Sequence, residues 1–166
     1  MAPENQNTSS ILKAEYLQVV EFIAEKLKNL EVKWVITGSL NHAMHGIDIS
    51  PNDIDILSDK HGVYLIEKEF QRYIIKKVAY STSENLRSYY GMLCISGINI
   101  DIMAEIENRL ITGIGEPHID WEQHIEQIKI GKYLVPVLSL EYEHIIYKKL
   151  NKPDRIRKIL ERLGTK

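Results

Sequence analysis

Apolar positions along the chain follow two periods, and the switches between them mark the elements. Over residues 11–30, Leu12, Tyr16, Val19, Val20, Ile23, Ala24 and Leu27 recur at helical spacing, with Ser9 or Ser10 placed to cap the helix. Residues 32–37 (VKWVIT) read as a buried strand. Gly38-Ser39 turns out of it into a short helix over 40–45, with Ser39 as its cap and Gly46 as its end. A second strand carries Asp53 and Asp55 between isoleucines and runs to Leu57. Ser58-Asp59 then caps a helix over about 61–73, whose apolar face is Val63, Ile66, Phe70 and Tyr73.

Alternation returns over 74–81, and a polar loop fills 82–86. Strands over 87–95 and 98–106 flank Ser96-Gly97, which predicts an antiparallel hairpin. Residues 120–130 read as a short helix or an irregular segment. Gly131-Lys132 separates two short apolar pieces, 128–130 and 133–137, as in a small hairpin. Ser139 caps a helix over 140–150, of which Tyr142, Ile145, Ile146 and Lys149 share or border one side. Pro153 opens the last helix, 154–163, and Gly164 closes it. The expected fold is α/β (α+β): a small mixed β-sheet flanked by helices, with C-terminal helices at one end. The expected division is a flexible tail over 1–10, a main domain over 11–138, and a helical extension over 139–166 packed on it.

The 166 residues suit one domain with a substantial core. A formal net charge of −2 argues against general affinity for nucleic acid. The single cysteine, Cys94, excludes an internal disulfide, and its apolar surroundings make it a small core residue. There is no apolar run of about 18 residues and no basic-then-apolar leader pattern, so the expectation is a cytoplasmic protein with no membrane partner.

The candidate chemistry lies in the acids. Residues two apart on a strand share a face, so Asp53 and Asp55 project together while Ile54 and Ile56 point to the core. Their α-carbons should lie about 6.6–7 Å apart, close enough for both carboxylates to converge on one cation or on a pair. Oxygen-only ligands favour Mg2+ or Mn2+. Asp101, between Ile100 and Ile102, repeats the pattern and completes a three-carboxylate site if its strand lies alongside; Glu105 lies further along the same face. Gly38 permits close approach of a ligand to the backbone, and the short helix after it offers N–H groups to a phosphate.

The order of hydrophobic strand, Gly38-Ser39, helix, Asp53-Ile54-Asp55 and a later Asp101 resembles the nucleotidyltransferase superfamily related to DNA polymerase beta. It is similar to the minimal, lincosamide-type and abortive-infection-type members in particular. The resemblance implies an enzyme that moves a nucleoside monophosphate from a nucleoside triphosphate to an acceptor hydroxyl and releases pyrophosphate. It implies that Gly38 and Ser39 hold phosphate and that Asp53 and Asp55 bind the metals. Asp101 completes the metal site or acts as general base. On the basic stretch 147–158, Lys149, or Lys148, is expected to reach the triphosphate. The acceptor, whether small molecule, RNA or protein, is open, and segments 82–90 and 112–125 are expected to shape its pocket. The alternative is a nucleotidyltransferase-like regulatory partner of a toxin–antitoxin type that acts by binding a protein without catalysis; a homodimer is equally open.

Other residues carry less. Gly113 and Gly115 read as a loop, Trp121 as a packing residue or a base-stacking one, and His42 and His45 lack the partners of a metal set.

Overall fold

The structure is a computed structural model that describes residues 12–108 and 120–164. The expected tail, the proposed caps Ser9 and Ser10, the Gly113–Gly115 loop and most of the segment 112–125 lie outside those residues.

Seven strands form one mixed sheet: β1 (Trp34–Thr37), β2 (Ile54–Ser58), β3 (Ile74–Thr82), β4 (Leu86–Ile95), β5 (Ile98–Asn108), β6 (Ile125–Ile130) and β7 (Tyr133–Leu138). Their order is β3-β4-β5-β2-β1-β7-β6. β2 is central. It runs antiparallel to β1 and parallel to β5, with Thr37 opposite Asp55 and Asp55 beside Asp101. The β4–β5 hairpin forms about Ser96-Gly97 as the turn chemistry predicts, and it brings Asp101 next to β2.

The back face of the sheet carries α1 (Ala14–Leu27) and α3 (Lys60–Glu69). Val20, Ile23 and Leu27 of α1 and Val63 and Ile66 of α3 pack on Ile36, Ile54, Ile56, Ile100 and Ile102 in the main core. These alternate strand residues are the apolar half of the period-2 pattern, and burying them supplies most of the driving force for the sheet. The helix α1 is shorter than expected and starts after Lys13, which makes no side-chain cap. The helix α3 starts after Asp59, whose carboxylate accepts the Gly62 N–H at 2.6 Å. It ends before the expected 73, and a single 3-10 turn, Gln71–Tyr73, leads into β3.

The front face departs from expectation. Leu57 follows Asp55 by two residues and therefore shares its side. It packs with Val35, Trp121, Leu138 and Ile146 in a second apolar cluster. The acid-bearing face is thus open at one end only. Trp121 is a buried member of this cluster, which settles its role as packing. The segment after it is one 3-10 turn, Glu122–His124, followed by β6, so the hairpin with β7 is longer than the sequence suggested.

Two C-terminal helices, α4 (Leu140–Lys149) and α5 (Pro153–Leu163), close the molecule on the acid side. Ser139 caps α4 by accepting the Tyr142 N–H, and Gly164, in the left-handed conformation with φ 72°, ends α5. The buried side of α4 is Leu140, Glu143 and Ile146, while Ile145 is 46% exposed. Of the side formed by Tyr142, Ile145, Ile146 and Lys149, only Ile146 is buried. Periodicity scores a glutamate as polar, yet Glu143 is only 1% exposed. Ile159 of α5 joins Ile47 and Leu140 in a third cluster, which ties α5 to the chain beyond the short helix α2 (Gly38–Met44).

Candidate active site

Three adjacent strands place one row of side chains on the open front face: Thr37, Asp55 and Asp101, which occupy paired positions across β1, β2 and β5. Asp53, just ahead of β2, completes the group. One oxygen each from Asp53, Asp55 and Asp101 lies within 4.8 Å of the others. The turn before Asp53 is held from behind by α1, because the Tyr16 hydroxyl donates to the Pro51 carbonyl at 2.9 Å. Glu105 is not in the cluster. It has φ 51° and sits where the β4–β5 register slips, which breaks the alternation that would have aligned it with Asp101.

The carboxylates are electrostatically uncompensated. Burial, followed by the charges of Asp53, Asp101 and Glu143, pushes Asp55 up to about 7. Burial also raises Asp101, and the charge of Asp53 adds to this, while the Tyr90 hydroxyl, donating at 3.0 Å, pulls the other way. Tyr90 itself is pushed up to about 12 by burial and by its bond to Asp101, so it remains a donor across the physiological range. A set of oxygen donors that resists carrying its own negative charge fits a hard divalent cation.

The Gly38 turn presses on this group. Gly38 has φ 75°, and a Cβ there would stand 2.4 Å from Asp55 Oδ2, so only glycine fits. The helix α2 starts at Gly38, with Thr37 at its cap position. Ser39 is therefore inside the first turn rather than at the cap. The capping is done by a residue from the far end of the chain. Glu143 Oε1 accepts the Gly38 N–H at 3.0 Å, the Thr37 hydroxyl at 2.7 Å and Asn41 Nδ2 at 2.8 Å. The Gly38 N–H, expected to face a phosphate, is thus engaged inside the protein. Burial alone would push the Glu143 carboxyl up, but the neighbouring His42 and the bonds from Asn41 and Thr37 bring it below the usual range. Glu143 is therefore a buried anion.

Sequence reasoning missed Glu143, and the signal for it was its place between Leu140 and Ile146 on an otherwise apolar stripe. His42 is fully buried, with Nε2 at 3.3 Å from Glu143 Oε2, a close contact that is not aligned as a hydrogen bond. Its other ring nitrogen, Nδ1, lies 2.7 Å from Arg155 Nη1. His42 and His45 do not join the acid cluster. Beyond Arg155, Tyr147, Lys152, Pro153 and Asp154 line a cavity of about 360 Å3. The charges of Asp55 and Asp53 reach Tyr147, which burial, ahead of the Glu143 charge, pushes up to about 12. Lys149 lies exposed in the last turn of α4.

The family model for aminoglycoside-2''-adenylyltransferases matches residues 19–163, nearly the whole of the described chain. The chain belongs to this family. Among solved structures, this adenylyltransferase-family protein is 37% identical to a Thermotoga maritima protein provisionally described as a nucleotidyltransferase. The TM-score is 0.81, and the match covers 95% of this chain and 98% of that one. The fold is shared with ANT(2'')-Ia in complex with adenylyl-2''-tobramycin (12% identity, TM-score 0.59, 90% of each chain). It is also shared with the lincosamide antibiotic adenylyltransferase LnuA in its lincomycin-bound form (13% identity, TM-score 0.56, 86% of this chain and 94% of that one). No curated protein matches it significantly. The family and its neighbours make the protein a nucleotidyltransferase by class, with the α/β fold of that group. Among the described residues, no helix is long and apolar enough to cross a membrane.

Proposed function

We propose that this protein transfers a nucleoside monophosphate from a nucleoside triphosphate to a hydroxyl of a small acceptor molecule and releases pyrophosphate. The observation that carries the reading is the convergence of Asp53, Asp55 and Asp101 within 4.8 Å beside the Gly38 turn, with Asp55 lifted to about 7 by burial and by the neighbouring acids.

In this reading Asp53, Asp55 and Asp101 would hold Mg2+ or Mn2+, which when bound would supply charge neutralisation at the phosphates and lower the pKa of the acceptor hydroxyl. Gly38 contributes by having no side chain, so the turn and Asp55 stay in contact, and Ser39 offers its hydroxyl and N–H to the phosphates. Asp101, raised by burial and oriented by Tyr90, takes the proton of the acceptor hydroxyl as that oxygen attacks the α-phosphorus. The bond from the α-phosphorus to the bridging oxygen breaks, and pyrophosphate leaves. Lys149, in the last turn of α4, is proposed to reach the triphosphate.

The relatives' names narrow the acceptor. ANT(2'')-Ia is described with adenylylated tobramycin and LnuA with lincomycin, so an amino sugar or sugar-bearing small molecule is the proposed class. The test incubates the protein with each nucleoside triphosphate, Mg2+ and a panel of such acceptors, and follows pyrophosphate release and the mass of the acceptor. A gain of one nucleoside monophosphate, lost in Asp53→Asn, is expected. Unchanged transfer in Asp53→Asn would retire the metal assignment.

A further inference from the structure

The bonding around Glu143 has a direction. Arg155 has only donors, so His42 Nδ1 must accept from it and the imidazole proton must sit on Nε2. Nε2 lies 3.3 Å from Glu143 Oε2, a close polar contact without hydrogen-bond alignment, and Oε1 receives Gly38, Thr37 and Asn41. The contacts run from α5 through α2 and α4 to the turn that touches Asp55, and the hydrogen bonds at the two ends each have one allowed polarity. Its outer end is half-exposed: the Arg155 guanidinium lies 5.1 Å above the Tyr147 ring in the wall of the 360 Å3 cavity. Its inner end is closed, since His42 and Glu143 are 0% and 1% exposed.

We propose that Arg155, His42 and Glu143 form a positioning relay by which α5 fixes the Gly38 turn against Asp55. The linkage stands on the contacts alone, while its service to catalysis rests on the nucleotidyl-transfer reading. Glu143 replaces the capping side chain that Ser39 does not provide, and it does so only while His42 presents an N–H to it. Arg155 enforces that tautomer from the cavity side. The space between the Gly38 turn and Asp55 is too small for even a Cβ, so the placing of the turn bears directly on that carboxylate.

The polarity gives a test that a merely structural role would not pass. In Glu143→Gln, the new amide can keep an oxygen on Gly38 only by turning its NH2 toward His42 Nε2, a donor facing a donor. If Arg155 is changed to Met, which keeps the stem and lacks the donor, His42 can move its proton to Nδ1 and give it to solvent in the cavity, and the clash disappears. The wild type, both single variants and the double variant are compared by hydrogen exchange of the Gly38 amide and by titration with Mn2+ and a non-hydrolysable ATP analogue. Glu143→Gln alone should speed Gly38 exchange by about tenfold or more, but by less than about threefold in the Arg155→Met background. Arg155→Lys, which keeps a donor, should retain wild-type protection. Additive effects within about a factor of two, or Gly38 exchange that ignores Arg155→Met, would overturn the relay. Mn2+–nucleotide binding that weakens in step with Gly38 exchange supports the positioning role, and binding unchanged in Glu143→Gln after Gly38 is released overturns it. If the wild type binds no Mn2+–nucleotide, the nucleotidyl-transfer reading fails, and the exchange cycle still decides the linkage.

Discussion

Asp55 offers the most direct test of the electrostatics. Its carboxyl is lifted from 3.8 to about 7, mainly by burial and then by Asp53, Asp101 and Glu143. A folded-state pKa above the unfolded one means that the native state holds the proton more tightly. The protonated form therefore contributes stability that is fully present below about pH 4 and is lost as pH rises through about 7. A lift of about 3 units at roughly 1.4 kcal/mol each caps the loss at about 4 kcal/mol, and relaxation around the ionised group brings the expected figure to about 2–4 kcal/mol. Asp55→Asn keeps the shape and removes the charge. In a chelator at about pH 8 it should melt higher than wild type by roughly 4–16 °C, at about 2–4 °C per kcal/mol for a chain of this size. The gap should close as pH falls toward about 4. Excess Mg2+ should raise the wild type and leave the variant nearly unmoved. The assay is thermal unfolding of both proteins from about pH 4 to 8, with chelator or with Mg2+. A variant that is less stable than wild type at about pH 8 in chelator would refute the reasoning, because it would mean that the Asp55 charge is already compensated inside the protein.

Other consequences can be checked alongside. Gly38→Ala forces a Cβ to within 2.4 Å of Asp55 Oδ2 at a positive φ, so it should cost about 2–4 kcal/mol in urea unfolding and weaken Mg2+-dependent nucleotide binding. Glu143→Ala strips an acceptor from Thr37, Gly38 and Asn41 at once and should destabilise the fold by roughly 3–5 kcal/mol, read by the same method. Because the Glu143 pKa is lowered, its contribution in the wild type is present above about pH 4.5 and is lost as pH falls through the folded value. Tyr90→Phe removes the bond that lowers Asp101, so the acidic limb of the transfer rate should move to higher pH.

Much of this was legible in the sequence because the informative patterns were local. Isoleucines alternating with aspartates marked which face of β2 and β5 carried the acids, and Ser96-Gly97 between two strand-forming runs marked the hairpin that delivers Asp101. Periodicity could not see that the same face of β2 changes character between Asp55 and Leu57, since that depends on α4 and Trp121 arriving from elsewhere. Nor could it show that Glu143 is buried. A single acid on an apolar stripe is satisfied only by partners about a hundred residues away, and no short window contains both. The cap of α2 was misassigned to Ser39 for the same reason, because the sequence offered a suitable local side chain and the fold used a distant one.

That reliance on distant partners bears on how the protein is made. The parallel pairing of β2 with β5 joins residues 46 positions apart, from Asp55 to Asp101, and the Gly38–Glu143 bond joins residues 105 apart. Contacts of such long sequence separation form late and slowly. On the ribosome, the three carboxylates and the glycine turn emerge well before the helix that caps the turn, so the nascent chain carries an unlatched site with repelling charges until α4 and α5 are released. Folding during synthesis should therefore respond to added divalent cations, which relieve that repulsion before α4 arrives.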